Sequence, residues 1–523
     1  MKLSGGMEGA GTELVAAYVK RILASRVYDI ASESPLQLAA RLSARVQNTV
    51  YLKREDLQSV FSFKLRGAYN KVAHLSEAER QSGVVTASAG NHAQGLAAAA
   101  QKLGMRATIV MPETTPSIKV DSVRARGADV ILVGDTFEQA YQHSLGLVEQ
   151  SGAVYVHPYD DELTIAGQGT VGMEILQQHS KPLHAVFVPV GGGGLIAGVG
   201  AYIKYVRPEI KVIGVEAEDS ACMQAALQVD ERVTLSEIGL FPDGIAVAQA
   251  GEKTFEVARL CVDEVVTVSV DEICTAIKYA FEDTRVVAEP AGAAAVAGMK
   301  KYVAREGLQG ENLVAILSGA NVNFDRIKHI VERSETGESS EALLAVRIEE
   351  KPGSFLRLSQ VLGGRNVTEF NYRFQGSNAA EVFLGVTLAN GDGVLDREVA
   401  LPKLLSKLTG EGFEVDDLSD NEMAKMHVRH MVGGRAAGVS DERLYRFQFP
   451  EKPRALLRFL EKLGREVNIT LFHYRNNGAA YGRVLVGLQL LQGEWAHLLS
   501  RFGEIGYPFW EETHNPAYQK FLQ

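Results

Sequence analysis

The sequence is poor in cysteine, has no basic excess and has no uninterrupted apolar segment. Cys222, Cys261 and Cys274 are the only three cysteines in 523 residues, and no two form a CxxC pair. That excludes a disulfide scaffold and a zinc site of the usual spacing, and it suits a reducing compartment. The three thiols read as small buried hydrophobes, and no metal is expected. Acidic residues outnumber basic ones, 64 against 54, for a net charge of −10. A nucleic-acid partner needs a concentrated basic surface and is not expected, although a local basic pocket for a phosphate stays open. The opening MKLSGGMEGAGTELV lacks the apolar core of a signal peptide, so a cytoplasmic location is expected. The longest run free of charged residues and histidine, Ala185–Ile203, is long enough to suggest a membrane span. Pro189 and Gly191–Gly194 interrupt it, and each glycine costs a helix about 1 kcal/mol relative to alanine. The run reads instead as strand, glycine loop and helix, with no membrane partner.

Hydrophobic residues make up 46% and charged residues 23%, values of a soluble globular chain. At about 100–200 residues per domain, the length suggests roughly three or four domains. Residues up to 330 alternate β-branched runs with alanine-rich helical stretches. Strands are expected at Val84–Ala87, Ala107–Met111, Val130–Val133, Phe187–Val190, Val212–Val215 and Val314–Leu317. This rhythm predicts an α/β domain over 1–330 with a largely parallel sheet, whose ligands gather at loops beyond the strands' carboxyl ends. SAGNH, GGGG and SGAN all stand at such loops.

Residues 331–341, VERSETGESSE, read as a polar linker or domain boundary. An internal repeat follows. Asn366–Arg373, NVTEFNYR, returns as Asn468–Arg475, NITLFHYR, displaced by 102 residues. Lys351-Pro352 returns as Lys452-Pro453, and Leu362-Gly363 as Leu463-Gly464. Each copy, over 342–418 and 440–517, reads as the ferredoxin-like order βαββαβ. Phe370, Tyr372 and Phe374 share one strand face, echoed by Phe472 and Tyr474; ordinary packing explains them.

Four segments of the first part carry chemistry together. Lys64 stands in SFKLRGA between two apolar residues, a setting that lowers an amine's pKa and suits Schiff-base formation with an aldehyde; a solvated surface lysine is the alternative. Ser88-Ala89-Gly90-Asn91-His92 joins a strand to a helix whose N-terminus can bind an anion, or Ser88 or Asn91 simply caps that helix. Gly191–Gly194 can cradle a phosphate or be merely flexible; no P-loop or dinucleotide fingerprint surrounds it. Ser318-Gly319-Ala320-Asn321 follows a strand, and Ser318 can cap or contact a ligand. An aldehyde trap, a phosphate cradle and polar donors together imply pyridoxal phosphate.

SFKLRGAYNK, TASAGNHAQG, AGQGTVGMEI, PVGGGGLIAG, DGIAV, AEPAGA and LSGANVNF resemble the tryptophan-synthase-β-like (fold type II) pyridoxal-phosphate enzymes, and within them the threonine dehydratases. The repeats after residue 340 resemble the ACT-like regulatory domains of the long, biosynthetic form. The resemblance implies that Lys64 bonds the cofactor and acts as the base at Cα, with Phe63 packed beside it. It implies that Asn91 meets the pyridine 3-oxygen and that Gly191, Gly192, Gly193, Gly194 and Leu195 hold the phosphate. Ser318 would face the pyridine nitrogen. The Ser88, Ala89, Gly90, Asn91 and His92 backbone would hold the substrate carboxylate, and Glu289 would shape the pocket. The implied substrate is L-threonine, with L-serine as a second possibility. The products would be 2-oxobutanoate and ammonia. Serine dehydratase, threonine synthase and a non-catalytic amino-acid sensor are the competing readings. Isoleucine would inhibit and valine oppose it, with Tyr372 and Tyr474 nominated at the effector pockets, in a homotetramer. Related serine racemases carry a second serine where this chain has Ala89, so racemisation is not expected.

Overall fold

The computed structural model describes residues 9–337, 341–349, 354–363, 365, 367–372, 379–388, 397–430, 441–450, 459, 462–463, 467–475, 481–490 and 494–522. The chain divides into two compact units, Met1–Ser334 and Glu335–Gln523. No helix among the described residues is long and apolar enough to cross a membrane.

Among the described residues the first unit holds ten strands: β1 (Leu36–Leu38), β2 (Thr49–Arg54), β3 (Val84–Ala87), β4 (Ala107–Met111), β5 (Asp129–Leu132), β6 (Val154–Tyr155), β7 (Ala185–Pro189), β8 (Lys211–Ala217), β9 (Glu264–Val268) and β10 (Asn312–Leu317). They form two sheets rather than one, with orders β1-β2-β10-β7-β8-β9 and β5-β4-β3-β6. All pairings are parallel except β1 with β2. Helices cover both faces, so the central strands are apolar runs rather than alternating ones; every residue of β7 is buried. Each expected strand is present within a residue or two. The strands that went unread, β1, β2, β6 and β9, are short, edge-lying or mixed in polarity. Cys222, Cys261 and Cys274 are free and buried.

The helices pack closely where glycines remove side chains. A Cβ on Gly167 would lie 2.7 Å from the Arg66 carbonyl oxygen, which is how the Glu162–Gln178 helix reaches the Lys64–Ala73 helix.

The division between the two units, after Ser334, falls inside the expected linker or boundary at 331–341. A helix runs from Arg326 to Gly337, and a strand begins at Glu341. On that helix Ile330 is buried, and Arg333 donates to Asp271 at 2.7 Å.

In the second unit the first copy comprises β11 (Glu341–Glu349), the Ser354–Leu362 helix, β12 (Val367–Tyr372), β13 (Ala379–Thr387), the Arg397–Gly410 helix and β14 (Glu414–Asp417). The second comprises β15 (Glu442–Pro450), β16 (Val467–Arg475), β17 (Tyr481–Leu490), the Trp495–Ile505 helix and β18 (Phe509–Glu511). The helix expected at the start of this copy lies mostly outside the described residues. Sheet orders β12-β13-β11-β14 and β16-β17-β15-β18 are the same, and every pairing is antiparallel. The register shifts at one equivalent place in each copy, between Val367 and Glu369 and between Ile469 and Leu471. Alternation along β11 splits the core. Ala342, Leu344, Val346 and Ile348 pack with the first copy's helices. Leu343 and Ala345 face the other way and join Leu444 and Leu485 of the second copy.

Candidate active site

Lys64 opens the Lys64–Ala73 helix, and the segment before it is strapped to the loop after β10. Phe63 N donates to the Ser318 carbonyl at 3.2 Å, and Ser62 bridges Gly319. The Lys64 Nζ donates to the Pro158 carbonyl at 2.8 Å and lies 5.4 Å from the centre of the Phe63 ring. The side chain keeps some accessible surface, yet protein surrounds the amine. Burial pushes its pKa down to about 8, against a small upward pull from the Glu289 carboxylate.

The loop after β6 is the hub of the site. Val156 O accepts from His92 Nε2 and from Thr86 Oγ1, each at 2.9 Å. His92 therefore carries its proton on Nε2; burial, and then the Lys64 charge, hold its pKa down to about 3. His157 Nδ1 accepts from Tyr159 N at 3.3 Å and Asp160 N at 2.8 Å, and burial lowers its pKa to about 4. Both imidazoles beside the amine are thus neutral near pH 7. Tyr159 packs on the glycine loop: a Cβ on Gly192 would fall 2.4 Å from its ring.

Ser88, Ala89 and Gly90 follow β3, and the helix Asn91–Leu103 starts without a side-chain cap. The capping alternative for Ser88 and Asn91 is therefore not realised. Ser88 Oγ accepts from Gly90 N at 3.3 Å, while Asn91 sends its amide to Glu289. The first-turn N–H groups are left for an anion. Gly191–Gly194 join β7 to the Gly194–Val206 helix, with Gly193 at φ +96°, a conformation that favours glycine. Leu195 is buried behind the loop. Ser318 is buried, its hydroxyl 3.5 Å from the Ala291 carbonyl. Tyr372 and Tyr474 belong to the second unit, at equivalent positions of β12 and β16, paired with Val382 and Val484. Their side chains lie outside what is described, as does all of Phe374.

Three features of the site were not singled out from sequence. Asn321 completes a ring with Asn91 and Glu289. Pro158 and Tyr159 carry no motif. Below Lys64, a fully buried ionic cluster joins Arg66 to Glu55 (2.7 Å) and Glu174 (2.5 Å), and Lys53 to Glu174 (2.6 Å). Arg66 stands inside the SFKLRGA motif, and an arginine amid apolar neighbours was the available signal.

The residues suit pyridoxal phosphate: a shielded primary amine, uncapped helix N-termini, and a glycine loop on which one added methyl would strike Tyr159. A fold of two largely parallel sheets carrying such a lysine and such a glycine loop is that of a class of pyridoxal-phosphate-dependent enzymes. The family model "Pyridoxal-phosphate dependent enzyme" matches residues 27–319. The model "C-terminal regulatory domain of Threonine dehydratase" matches twice, at 332–428 and 433–522. The chain is 53% identical to the biosynthetic L-threonine dehydratase IlvA of Burkholderia multivorans, over 97% of this chain and 99% of the relative. It is 51% identical to that of Escherichia coli, over 99% and 98%. The solved structure of processed threonine deaminase isoform 2 from Solanum lycopersicum is 49% identical over 64% of this chain and 96% of that one, with a TM-score of 0.61. The chain belongs to the biosynthetic threonine dehydratase family of pyridoxal-phosphate-dependent enzymes.

Proposed function

We propose that this protein is an L-threonine ammonia-lyase, which eliminates water from L-threonine and releases 2-oxobutanoate and ammonia at the start of isoleucine synthesis. The observation that carries the reading is the Lys64 amine, held at a pKa of about 8 against Pro158 O. Bound pyridoxal phosphate supplies an aldehyde for amines and a sink for the electron pair left when the α-proton departs.

The chain's own residues do the rest. Lys64 would hold the cofactor and then, as a neutral amine, take the α-proton; its lowered pKa keeps that form populated near neutral pH. Phe63 packs beside it. Asn91 spends one amide N–H on Glu289 and has the other for the pyridine 3-oxygen. Gly191–Gly194 and Leu195 offer backbone N–H groups to the phosphate. The first-turn N–H groups after Ser88, Ala89 and Gly90, with Asn91 and His92, receive the substrate carboxylate. Ser318 offers the pyridine nitrogen a neutral hydroxyl, which does not stabilise a ring cation as a carboxylate would. That favours loss of the β-hydroxyl over transamination.

The two repeats, 342–418 and 440–517, form the regulatory part. Isoleucine binding there would inhibit and valine would oppose it, each by binding one global conformation better than the other. Strands β12 and β16, with Tyr372 and Tyr474, are the nominated effector positions. We place the protein in the cytoplasm as a homotetramer.

The test is a keto-acid assay with L-threonine and L-serine, with and without isoleucine. Threonine should yield 2-oxobutanoate, and isoleucine should suppress it. Lys64→Ala should abolish both turnover and the visible absorbance of bound cofactor; a variant that keeps both would refute the reading.

A further inference from the structure

The carbonyls of Gly191, Gly192 and Gly193 in the glycine loop are each turned toward a protein donor. Gly191 O lies 3.7 Å from Cys222 Sγ. Gly192 O accepts from Thr254 Oγ1 at 2.6 Å and from Gly251 N at 3.1 Å. Gly193 O accepts from Ala197 N at 2.9 Å, the first bond of the following helix. In a trans peptide the N–H points opposite to the C=O. The chain has no cis peptide among the described residues. Holding the Gly192 carbonyl therefore aims the Gly193 N–H to the other side of the loop. The positive φ of Gly193, +96°, is the conformation that this turn of the chain requires.

Thr254 is fully buried and lies in the first turn of the Glu252–Cys261 helix. That turn is fixed in its own right. The Asp160 carboxylate accepts from the N–H groups of Glu252 (3.0 Å), Lys253 (2.8 Å) and Thr254 (3.2 Å). The Thr254 hydroxyl also lies 3.2 Å from Gly251 O. It has one proton, and the shorter contact with Gly192 takes it.

We propose that Thr254 is a positioning residue of the anion cradle: its hydroxyl holds the Gly192–Gly193 peptide so that the Gly193 N–H faces a phosphate monoester. Thr254 itself touches no ligand. The inference rests on the reading of Gly191–Leu195 as the cofactor's phosphate site.

The test compares pyridoxal phosphate with pyridoxal, which lacks only the phosphate, by titrating cofactor-free protein and following fluorescence and absorbance. The wild type should bind the phosphorylated form far more tightly. Thr254→Val, close in shape but without the hydroxyl, should weaken pyridoxal phosphate about tenfold and leave pyridoxal unchanged. It should also shift the 31P resonance of the bound ester. Thr254→Ser should restore both. Thr254→Ala, read in the same way, covers any packing fault of valine. Equal losses for both ligands, or no loss, would overturn the role of Thr254. A wild type that does not discriminate between the ligands would overturn the phosphate reading, and the inference with it.

Discussion

The Asn91 Nδ2 donates to Glu289 Oε1 at 2.6 Å, across 198 residues of sequence. Asn321 closes the ring, giving its side-chain N–H to Asn91 Oδ1 at 2.7 Å and its backbone N–H to Glu289 Oε2 at 3.1 Å. Asn91 is thus held in one amide orientation, with a single N–H left to offer. The ring also contains a buried carboxyl. Burial, reinforced by Asp243, raises the Glu289 pKa from 4.5 to about 7, against the bonds from Asn91 and Asn321 and the charge of Lys119.

That shift makes stability depend on pH. The folded protein keeps a proton on Glu289 that the unfolded chain releases, so its contribution is full below pH 4.5 and is lost as pH rises through about 7. In urea unfolding, wild type should lose roughly 1–3 kcal/mol relative to Glu289→Gln between pH 5 and 8. Parallel profiles for the two proteins would show that Glu289 titrates normally.

Removing a cation from the buried cluster should be costly. Arg66 and Lys53 together balance Glu55 and Glu174, all four side chains being fully buried. Arg66→Met would leave carboxylates uncompensated and should destabilise the protein by about 3–5 kcal/mol. Arg66→Lys, which keeps charge but not the planar fork, should fall between. An unfolding midpoint within error of wild type would rule out this role.

Deletion of residues 335–523 removes the whole second unit. The remaining enzyme should deaminate threonine and ignore isoleucine. If inhibition persists in a soluble truncation, the sensor lies in the first unit.

Ala89 has no group that can donate or accept a proton. L-serine incubated with the enzyme should yield pyruvate and negligible D-serine on a chiral column. Ala89→Ser is the variant in which D-serine would first be sought. Substantial D-serine from the unaltered enzyme would mean that another residue serves the opposite face.

Elements that announce themselves locally were legible in the chain. The β-branched runs of β3, β4, β7 and β10 stand out because strands buried on both faces are continuously apolar. The 102-residue repeat became two sheets of one order because the same apolar spacing must bury the same faces. The polar stretch 331–341 contains the division between the two units, but composition did not show that a helix runs as far as Gly337, where charged residues face water on one side and pair on the other.

By itself, the sequence determined which loops are nominated for the chemistry, since a lysine between apolar residues, a run of glycines and SAGNH each demand a particular backbone or environment. Only the tertiary structure decided what those groups face. Pro158 beneath the Lys64 amine and Thr254 behind Gly192 come from segments with no motif, and Asn321, though inside SGAN, gave no sign that it would meet Asn91. The physical reason is that a hydrogen bond needs two groups within about 3 Å, and packing, not spacing along the chain, brings such distant residues together.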